Sequence, residues 1–381
     1  MYGYLILGLV SSLWLTWLTI GISRRHCFGV DEVAGVQKFH SHWVPRLGGI
    51  PIFVSFISTL LLAAWMLDTH VDSTTRLLVC VLPAFGIGLI EDVTRKAGVL
   101  SRLLMTMVAA AIGWWLLEGQ LDRIDIPGVD SLLAGAGFLS FALTLIAAGG
   151  VAHAVNIIDG YNGLSGFFAC LAFAGLAVVA LQVGDEFVFR AAAVGAVSML
   201  GFLAWNFPFG RIFLGDAGAY FAGFLLAELS ILLVHRNPGV SAWCPMLLMI
   251  YPVWETLFSI LRRSGGGLRR IGQPDALHLH QLVYRRLIKR YVGSKNPDHM
   301  ILRNSLTSVY LWVLVILSIV PAVLFYDNRA VLTFLCACFA LSYLLIYGRI
   351  VRFQVPRWIV AKPMADGVAL ESEAEKETAE S

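Results

Sequence analysis

The sequence predicts an all-α, polytopic integral membrane protein of about 11 transmembrane helices, with the N-terminus outside and the C-terminus inside. Three observations predict it. The 381 residues are 58% hydrophobic and 14% charged, and the mean hydropathy is +0.76. A soluble domain carries about a quarter charged residues. The apolar residues form runs of about 18 or more with almost no charge, as a hydrocarbon core about 30 Å thick requires of a helix. These runs are too long and continuous for the short alternating strands of a barrel. Finally, sorting Lys and Arg by loop puts all but five of 28 on one side, the five being Arg76, Arg123, Arg190, Arg236 and Arg329. The positive-inside rule makes the rich side cytoplasmic.

The runs are justified in order. The first, about 2–22, has no charged stretch ahead of it and is longer than a signal peptide's apolar core, so it reads as a retained span. The next three, about 47–67, 76–91 and 103–118, are separated by short polar loops. The fifth and sixth, about 131–153 and 163–183, flank NIIDGYNGL, residues 156–164. The seventh and eighth, about 187–205 and 217–234, flank NFPFGRIFLGDAG, residues 206–218. The ninth, about 243–261, runs into Arg262 and Arg263; the last two are about 306–326 and 330–348. Glu228 and Glu255 interrupt spans eight and nine, where a mid-bilayer charge costs roughly 2.5–3.5 kcal/mol. Glu255 is close enough to Arg262 to face the cytoplasmic side, whereas Glu228 is deeper and has no evident partner.

Residues 1–348 thus form one transmembrane catalytic domain with loops at about 23–46, 91–102, 154–163, 206–217 and 262–305. The segment LHLHQLVYRRLIKRY, residues 277–291, is expected to lie as a short amphipathic helix on the basic surface. The tail, 349–381, turns acidic and lacks aromatics beyond Met364, and is expected to be disordered. The six cysteines include no CxxC pair and mostly sit in apolar runs, so neither a disulfide framework nor zinc is implied.

The polar clusters KFHSHWVPRLGG, EDVTRKAGVLSR, NIIDGYNGL, NFPFGRIFLGDAG and PDALHLH all fall on the cytoplasmic side. One-sided gathering fits an active site at a membrane face; a transporter would place ionisable groups at mid-membrane. Glu91, Asp92, Asp159 and Asp216 are the candidate catalytic carboxylates. Carboxylates that converge repel one another unless a cation lies between them, and hard oxygen donors favour Mg²⁺, with Mn²⁺ an alternative. Taken singly, each Asp is as readily a helix cap or a solvated loop residue. DG at 159–160, NG at 162–163 and GDAG at 215–218 let the backbone turn and approach a phosphate. His278 and His280 suit donation to a diphosphate better than metal ligation, beside Arg269, Arg270, Arg285 and Arg286. His40 and His42 are as readily interfacial polar residues as functional ones.

In this order, PRLGG (45–49), GLIEDVTRKAGVLSRL (88–103), NIIDGYNGLSG (156–166), NFPFGRIFLGDAG (206–218), PVWETLFSILRR (252–263) and PDALHLHQL (274–282) resemble the polyprenyl-phosphate N-acetylhexosamine-1-phosphate transferase family. The resemblance is strongest to its bacterial undecaprenyl-phosphate branch. It implies eleven spans with the N-terminus outside. It also implies transfer of a 2-acetamido-sugar 1-phosphate from a UDP-sugar to undecaprenyl phosphate, with Mg²⁺ and release of UMP, starting O-antigen or another cell-surface polysaccharide. On this sequence it makes Asp216 the metal ligand and Asp92 the acidic residue acting at the lipid phosphate or the phosphoryl group. Asn156 and Asp159 become the nucleotide and phosphate loop, Asn206 and Phe213 positions facing uridine, and His278 and His280 diphosphate contacts; Lys38 joins them as a substrate-binding cation.

The departures are Glu91 where Asp is usual, Glu255 where Asp is frequent, and Ala219 where Ser is common. Asn162 stands where the phospho-N-acetylmuramoyl-pentapeptide transferases have Asp, which points away from that branch. The implied partners are the UDP-sugar, undecaprenyl phosphate and the lipid bilayer, with no nucleic acid and a homodimer left open. The implied location is the bacterial inner membrane, with the site on its cytoplasmic face. N-acetylglucosamine, N-acetylfucosamine and N-acetylquinovosamine fit equally well as the sugar. A membrane transporter or lipid-carrier flippase is the alternative of another class.

Overall fold

The computed structural model describes residues 2–26, 30–31, 44–264, 277–288 and 297–352. Lys38, His40, His42, Arg269, Arg270 and the tail beyond 352 lie outside them. Ten described helices are long and apolar enough to cross a membrane. They are α1 (Gly3–His26), α2 (Gly49–Leu67), α3 (Val71–Thr94), α4 (Val99–Leu117), α6 (Gly137–Ile157), α7 (Leu164–Val183), α8 (Glu186–Asn206), α9 (Gly215–Arg236), α13 (of Pro297–Leu324, the part from His299) and α14 (Arg329–Val351). Between them lie the short α5 (Val129–Gly135), α10 (Trp243–Leu248), α11 (Ile250–Ser264) and α12 (Leu279–Leu282), the last continued by a π-helical turn, Val283–Ile288. Val30–Asp31 and Val44–Pro45 form a two-residue antiparallel ladder, β1–β2. The result is an all-α polytopic membrane protein.

The run expected as a ninth span is broken at Met249 into α10 and α11. Pro252 has no N–H to give to Leu248 and crowds that carbonyl, so the helix restarts with Pro252 in its first turn, where it is tolerated. The two pieces still carry the chain across the bundle. Ser241 N–H bonds Tyr326 O at one end, and Glu255 meets His278 near the other. Counted as one crossing, they make eleven with the ten long helices.

α9 is the axis of the bundle, buried along its whole apolar length among α2, α3, α4, α6, α7 and α8. Apolar burial gives little drive between helices in lipid, so close backbone approach matters. Gly49 and Gly88 supply it: a Cβ on either would lie 2.3 Å from Gly218 N or 2.6 Å from Ala217 Cα. α2 and α3 therefore meet the first turn of α9 backbone to backbone. Hydroxyls tie the periphery, with Ser55 Oγ donating to Gly8 O at 2.9 Å and Ser12 Oγ to Ser198 O at 2.5 Å. Glu228, twelve residues beyond Asp216 on α9, is fully buried, and neither carboxyl oxygen has a hydrogen-bond partner among the described residues.

The helices run further than the apolar stretches suggested. Glu91 and Asp92 are in the last turn of α3 and Asp216 is in the first turn of α9, not in loops. Polar side chains at these ends bond across the bundle, so the helical ladder extends through them. The fifth run begins at Gly137 instead of about 131, because α5 occupies Val129–Gly135 separately. The amphipathic segment does not lie on a surface. Leu279, His280, Leu282, Val283, Leu287 and Ile288 are buried against α13 and α14, and Arg286 Nη1 donates to Ile350 O at 3.1 Å, capping α14.

Candidate active site

The site is built on the N-terminus of α9. The first N–H groups of a helix have no intrahelical acceptor and carry a partial positive charge. Asp92, brought in by α3, accepts two of them: Asp216 N–H on Oδ1 at 2.9 Å and Ala217 N–H on Oδ2 at 2.8 Å. Asp92 is 3% exposed, so this is a helix cap supplied from another span. Gly215 makes the turn into the helix with φ +74°, and a Cβ there would lie 2.1 Å from Arg46 O.

Asp216 is the hub. Its Oδ2 accepts a hydrogen bond from Arg102 of α4, and its Oδ1 accepts one from Asn156 Nδ2 of α6 at 3.1 Å. Arg46 Nη2 stands 3.6 Å from Asp216 Oδ1 and 3.9 Å from Asp92 Oδ1. Tyr220, one turn along α9, points its hydroxyl at Asn156 Oδ1 at 3.5 Å. Asp159 follows α6 in the turn and accepts from the Ser165 hydroxyl. Its carboxyl is held up at about 6, chiefly by burial and also by the charge of Asp216; the Ser165 hydroxyl, Arg46 and the Gly215 N–H oppose the shift. Asp92, Asp159 and Asp216, from three separate segments, thus meet around one helix end with two guanidinium groups among them.

Glu91 Oε2 accepts Ala97 N–H at 2.8 Å in the α3–α4 loop, and its charge reaches the centre through Arg102 and Tyr220. Asn206 is a brace: Oδ1 accepts Gly163 N–H at 2.6 Å and Nδ2 donates to Ile212 O at 2.7 Å. Phe213 joins by its backbone, N–H to Pro45 O at 2.8 Å and O from Gly48 N–H at 3.0 Å, fixing PRLGG beside GDAG. His278 Nδ1 is 3.0 Å from Glu255 Oε1, which also accepts Leu279 N–H at 2.8 Å. His280 stacks on His278 and meets Tyr161 edge-on, with ring centroids 5.3 and 5.6 Å apart. A Cβ on Gly160 would be 3.8 Å from His280 Nε2, so the histidine segment borders the Asp159 turn.

Several residues of this centre escaped sequence reasoning. Arg46, Arg102, Ser165 and Tyr220 lie inside or beside the quoted motifs, yet nothing local distinguishes them from surface charge or helix packing. Asn304 and Trp312 of α13 had no motif at all. Asn304 Oδ1 accepts Asn162 N–H at 2.6 Å, and Trp312 Nε1 donates to Gly163 O at 3.2 Å. Ser305 Oγ bonds Pro208 O at 2.5 Å. α13 therefore pins both loops that flank α7 and α8.

The comparisons with known proteins converge on the same set of helices. A family model described as glycosyl transferase family 4 matches residues 74–234, from α3 to α9. A phospho-N-acetylmuramoyl-pentapeptide-transferase of Geobacillus sp. is 31% identical over 243 residues, covering 60% of this chain and 74% of that one. The chain belongs to the polyprenyl-phosphate N-acetylhexosamine-1-phosphate transferase family. Within this family, a Bacillus subtilis protein named "Probable undecaprenyl-phosphate N-acetylglucosaminyl 1-phosphate transferase" is 28% identical over 279 residues, 72% of this chain and 75% of the relative. The decaprenyl-phosphate N-acetylglucosaminephosphotransferase of Mycobacterium tuberculosis is 27% identical over 357 residues, 85% and 83%.

A hard divalent cation makes a definite demand on the transferase's donor set. Among the described residues, no group of three or more His, Cys, Asp or Glu converges as a complete cage. Mg²⁺ does not need one, because it takes one or two carboxylates and fills its shell with water and substrate phosphate. Asp216 and Asp159 are hard oxygen donors close enough for their charges to interact, and they fit that demand; the Asp216 oxygens accept from the side chains of Arg102 and Asn156, whereas Asp92 gives both of its oxygens to backbone N–H groups. In the described arrangement Arg46 and Arg102 supply the positive charge that Asp216 needs.

Proposed function

We propose that this transferase moves a 2-acetamido-sugar 1-phosphate from a UDP-sugar to undecaprenyl phosphate, giving undecaprenyl-diphospho-sugar and UMP, at the cytoplasmic face of a bacterial inner membrane. The observation that carries this reading is the carboxylate–arginine centre on α9's N-terminus, at the end of the bundle where a water-borne nucleotide and a membrane-borne phosphate can meet. The reaction must bring two anions together. Asp216 and Asp159 would hold Mg²⁺ (or Mn²⁺), which would screen the diphosphate and polarise its phosphoryl oxygens. Arg46 and Arg102 offer guanidinium donors to phosphate oxygens. Asn156 orients Asp216, and His278 and His280 face the leaving UMP. Asp92 holds the Asp216 turn, and only its outer lone pairs remain for a proton from the lipid phosphate. That proton matters little, since a phosphate monoester's second pKa is about 6.

An oxygen of the lipid phosphate attacks the sugar-bearing phosphorus in line, and the bond to UMP breaks with its electrons leaving on UMP. A single displacement inverts a chiral phosphorus; an aspartyl-phosphate intermediate would retain it. The sugar is N-acetylglucosamine or a related 2-acetamido sugar, and the product starts O-antigen or another surface polysaccharide. The test is a panel of UDP-sugars with membranes carrying the protein, read as UMP release with and without Mg²⁺. No UMP with any sugar refutes the reading. Asp216→Ala is expected to abolish release while the protein still inserts; near-normal turnover would remove Asp216 from the centre.

A further inference from the structure

A second feature at the same end of the bundle is not used by this chemistry. The C-terminal end of α1 and the loop after α8 enclose a cavity of about 470 Å³. It is lined by Arg24, Arg25 and Arg211 on its polar side and by Trp17, Ile20 and Trp205 on its apolar side. None of the three arginines makes an ion pair with a described residue, in contrast to Arg46 and Arg102. The Arg211 guanidinium carbon stands over two aromatic rings, 5.6 Å from the Trp205 centroid and 5.4 Å from that of Phe209, which holds the group at the rim. Among the described residues no carboxylate lines the cavity.

The apolar side has a direction. Trp17 is seven residues before Arg24 on α1, about 10 Å along the helix, so the lining passes from charge to hydrocarbon as it descends. Gly21 lies between them, and a Cβ there would meet nothing within 4 Å among the described residues. Glycine inside a helix is a poor choice on propensity; here it leaves a groove open beside Trp17, which is itself 54% exposed. Trp and Arg in this order are what a lipid meets at the membrane–water boundary.

The geometry points to a binding site for an anionic bilayer phospholipid, its phosphodiester headgroup among Arg24, Arg25 and Arg211 and an acyl chain along Trp17 and Ile20. The site is coupled to the catalytic centre through one short segment. Arg211 N–H bonds Trp205 O at 3.3 Å, and the neighbouring Asn206 holds both Gly163 and Ile212, the latter two residues before Leu214 and the Gly215 turn. A lipid held by Arg211 steadies the segment that frames Asp216, so turnover depends on anionic lipid.

The test uses the full-length protein in nanodiscs of phosphatidylcholine with and without phosphatidylglycerol. Retained lipid is counted by native mass spectrometry, and binding is titrated. Wild type is expected to hold phosphatidylglycerol in preference to phosphatidylcholine. At roughly fivefold per basic residue, R24Q/R25Q binds it about 25-fold more weakly, R211Q about fivefold, and R24K/R25K within a few-fold of wild type. Equal retention of the two phospholipids overturns the site, as does unchanged phosphatidylglycerol binding by R211Q and R24Q/R25Q. Displacement of phosphatidylglycerol by equimolar polyprenyl phosphate would overturn it too, assigning the cavity to the carrier lipid. Retention is read without turnover, so failure of the proposed reaction and failure of this site are separable.

Discussion

Replacing Asp92 by Asn exchanges one carboxylate oxygen for an amide nitrogen and removes the charge, with almost no change of shape. In the structure each Asp92 oxygen accepts one N–H from the first turn of α9, at 2.9 and 2.8 Å. Asn can accept only one of them; its NH₂ then faces the other N–H, donor against donor. A hydrogen bond to a charged group contributes about 1.5–3 kcal/mol. An anion at a helix N-terminus adds about 0.3–2 kcal/mol, towards the upper end when buried, as Asp92 is. The expected loss is therefore about 2–5 kcal/mol of folding stability. It is measured by equilibrium unfolding in mixed micelles titrated with a denaturing detergent, alongside UMP release. Asp159→Asn is the internal comparison, because its carboxyl takes one backbone N–H, that of Gly215, and the Ser165 hydroxyl, a group free to rotate, where Asp92 takes two backbone N–H groups. A side-chain hydroxyl can turn to suit an amide, so that loss should stay under about 1.5 kcal/mol. If Asp92→Asn is as stable as wild type, or no less stable than Asp159→Asn, the trans-cap reasoning is wrong.

Three further outcomes are expected. The Asp159 carboxyl, held at about 6 against an ordinary 3.8, binds its proton more readily folded than unfolded. Stability therefore falls as pH rises between about 4 and 6, and activity that needs the ionised carboxylate climbs through about pH 6. A pH–rate profile that keeps this limb in Asp159→Asn would assign it elsewhere. Asn304→Ala leaves the buried Asn162 N–H without its acceptor and should cost about 1–3 kcal/mol with slower turnover, while Asn304→Asp restores both; a silent alanine variant in unfolding and UMP assays would dismiss the brace. Glu228→Met replaces an unpartnered buried carboxyl with an unbranched apolar chain and should stabilise by about 1–3 kcal/mol in the same unfolding titration; destabilisation would mean Glu228 has a partner beyond the described residues.

The sequence by itself determined the class of molecule and one end of it as the place of chemistry. Hydrocarbon imposes a one-dimensional rule: a span must be about 20 apolar residues long and its charges must sort by side. Such rules read directly from order along the chain, which is why the helices and the one-sided clustering of Asp92, Asp159 and Asp216 were legible. Span ends were less so, because a helix continues wherever its polar end groups find partners, as Asp92 does in the last turn of α3. The π-helical segment was misjudged because amphipathicity cannot tell a lipid surface from the flank of α13. Only the tertiary structure decided that Asp92 caps α9, that Arg102 reaches Asp216 across 114 residues, and that Asn304 reaches Asn162 across 142. Each depends on two helices approaching at one depth and rotation. Those are set by small residues such as Gly49 and Gly88 against the backbone of α9, and not by any pattern local to the groups that meet.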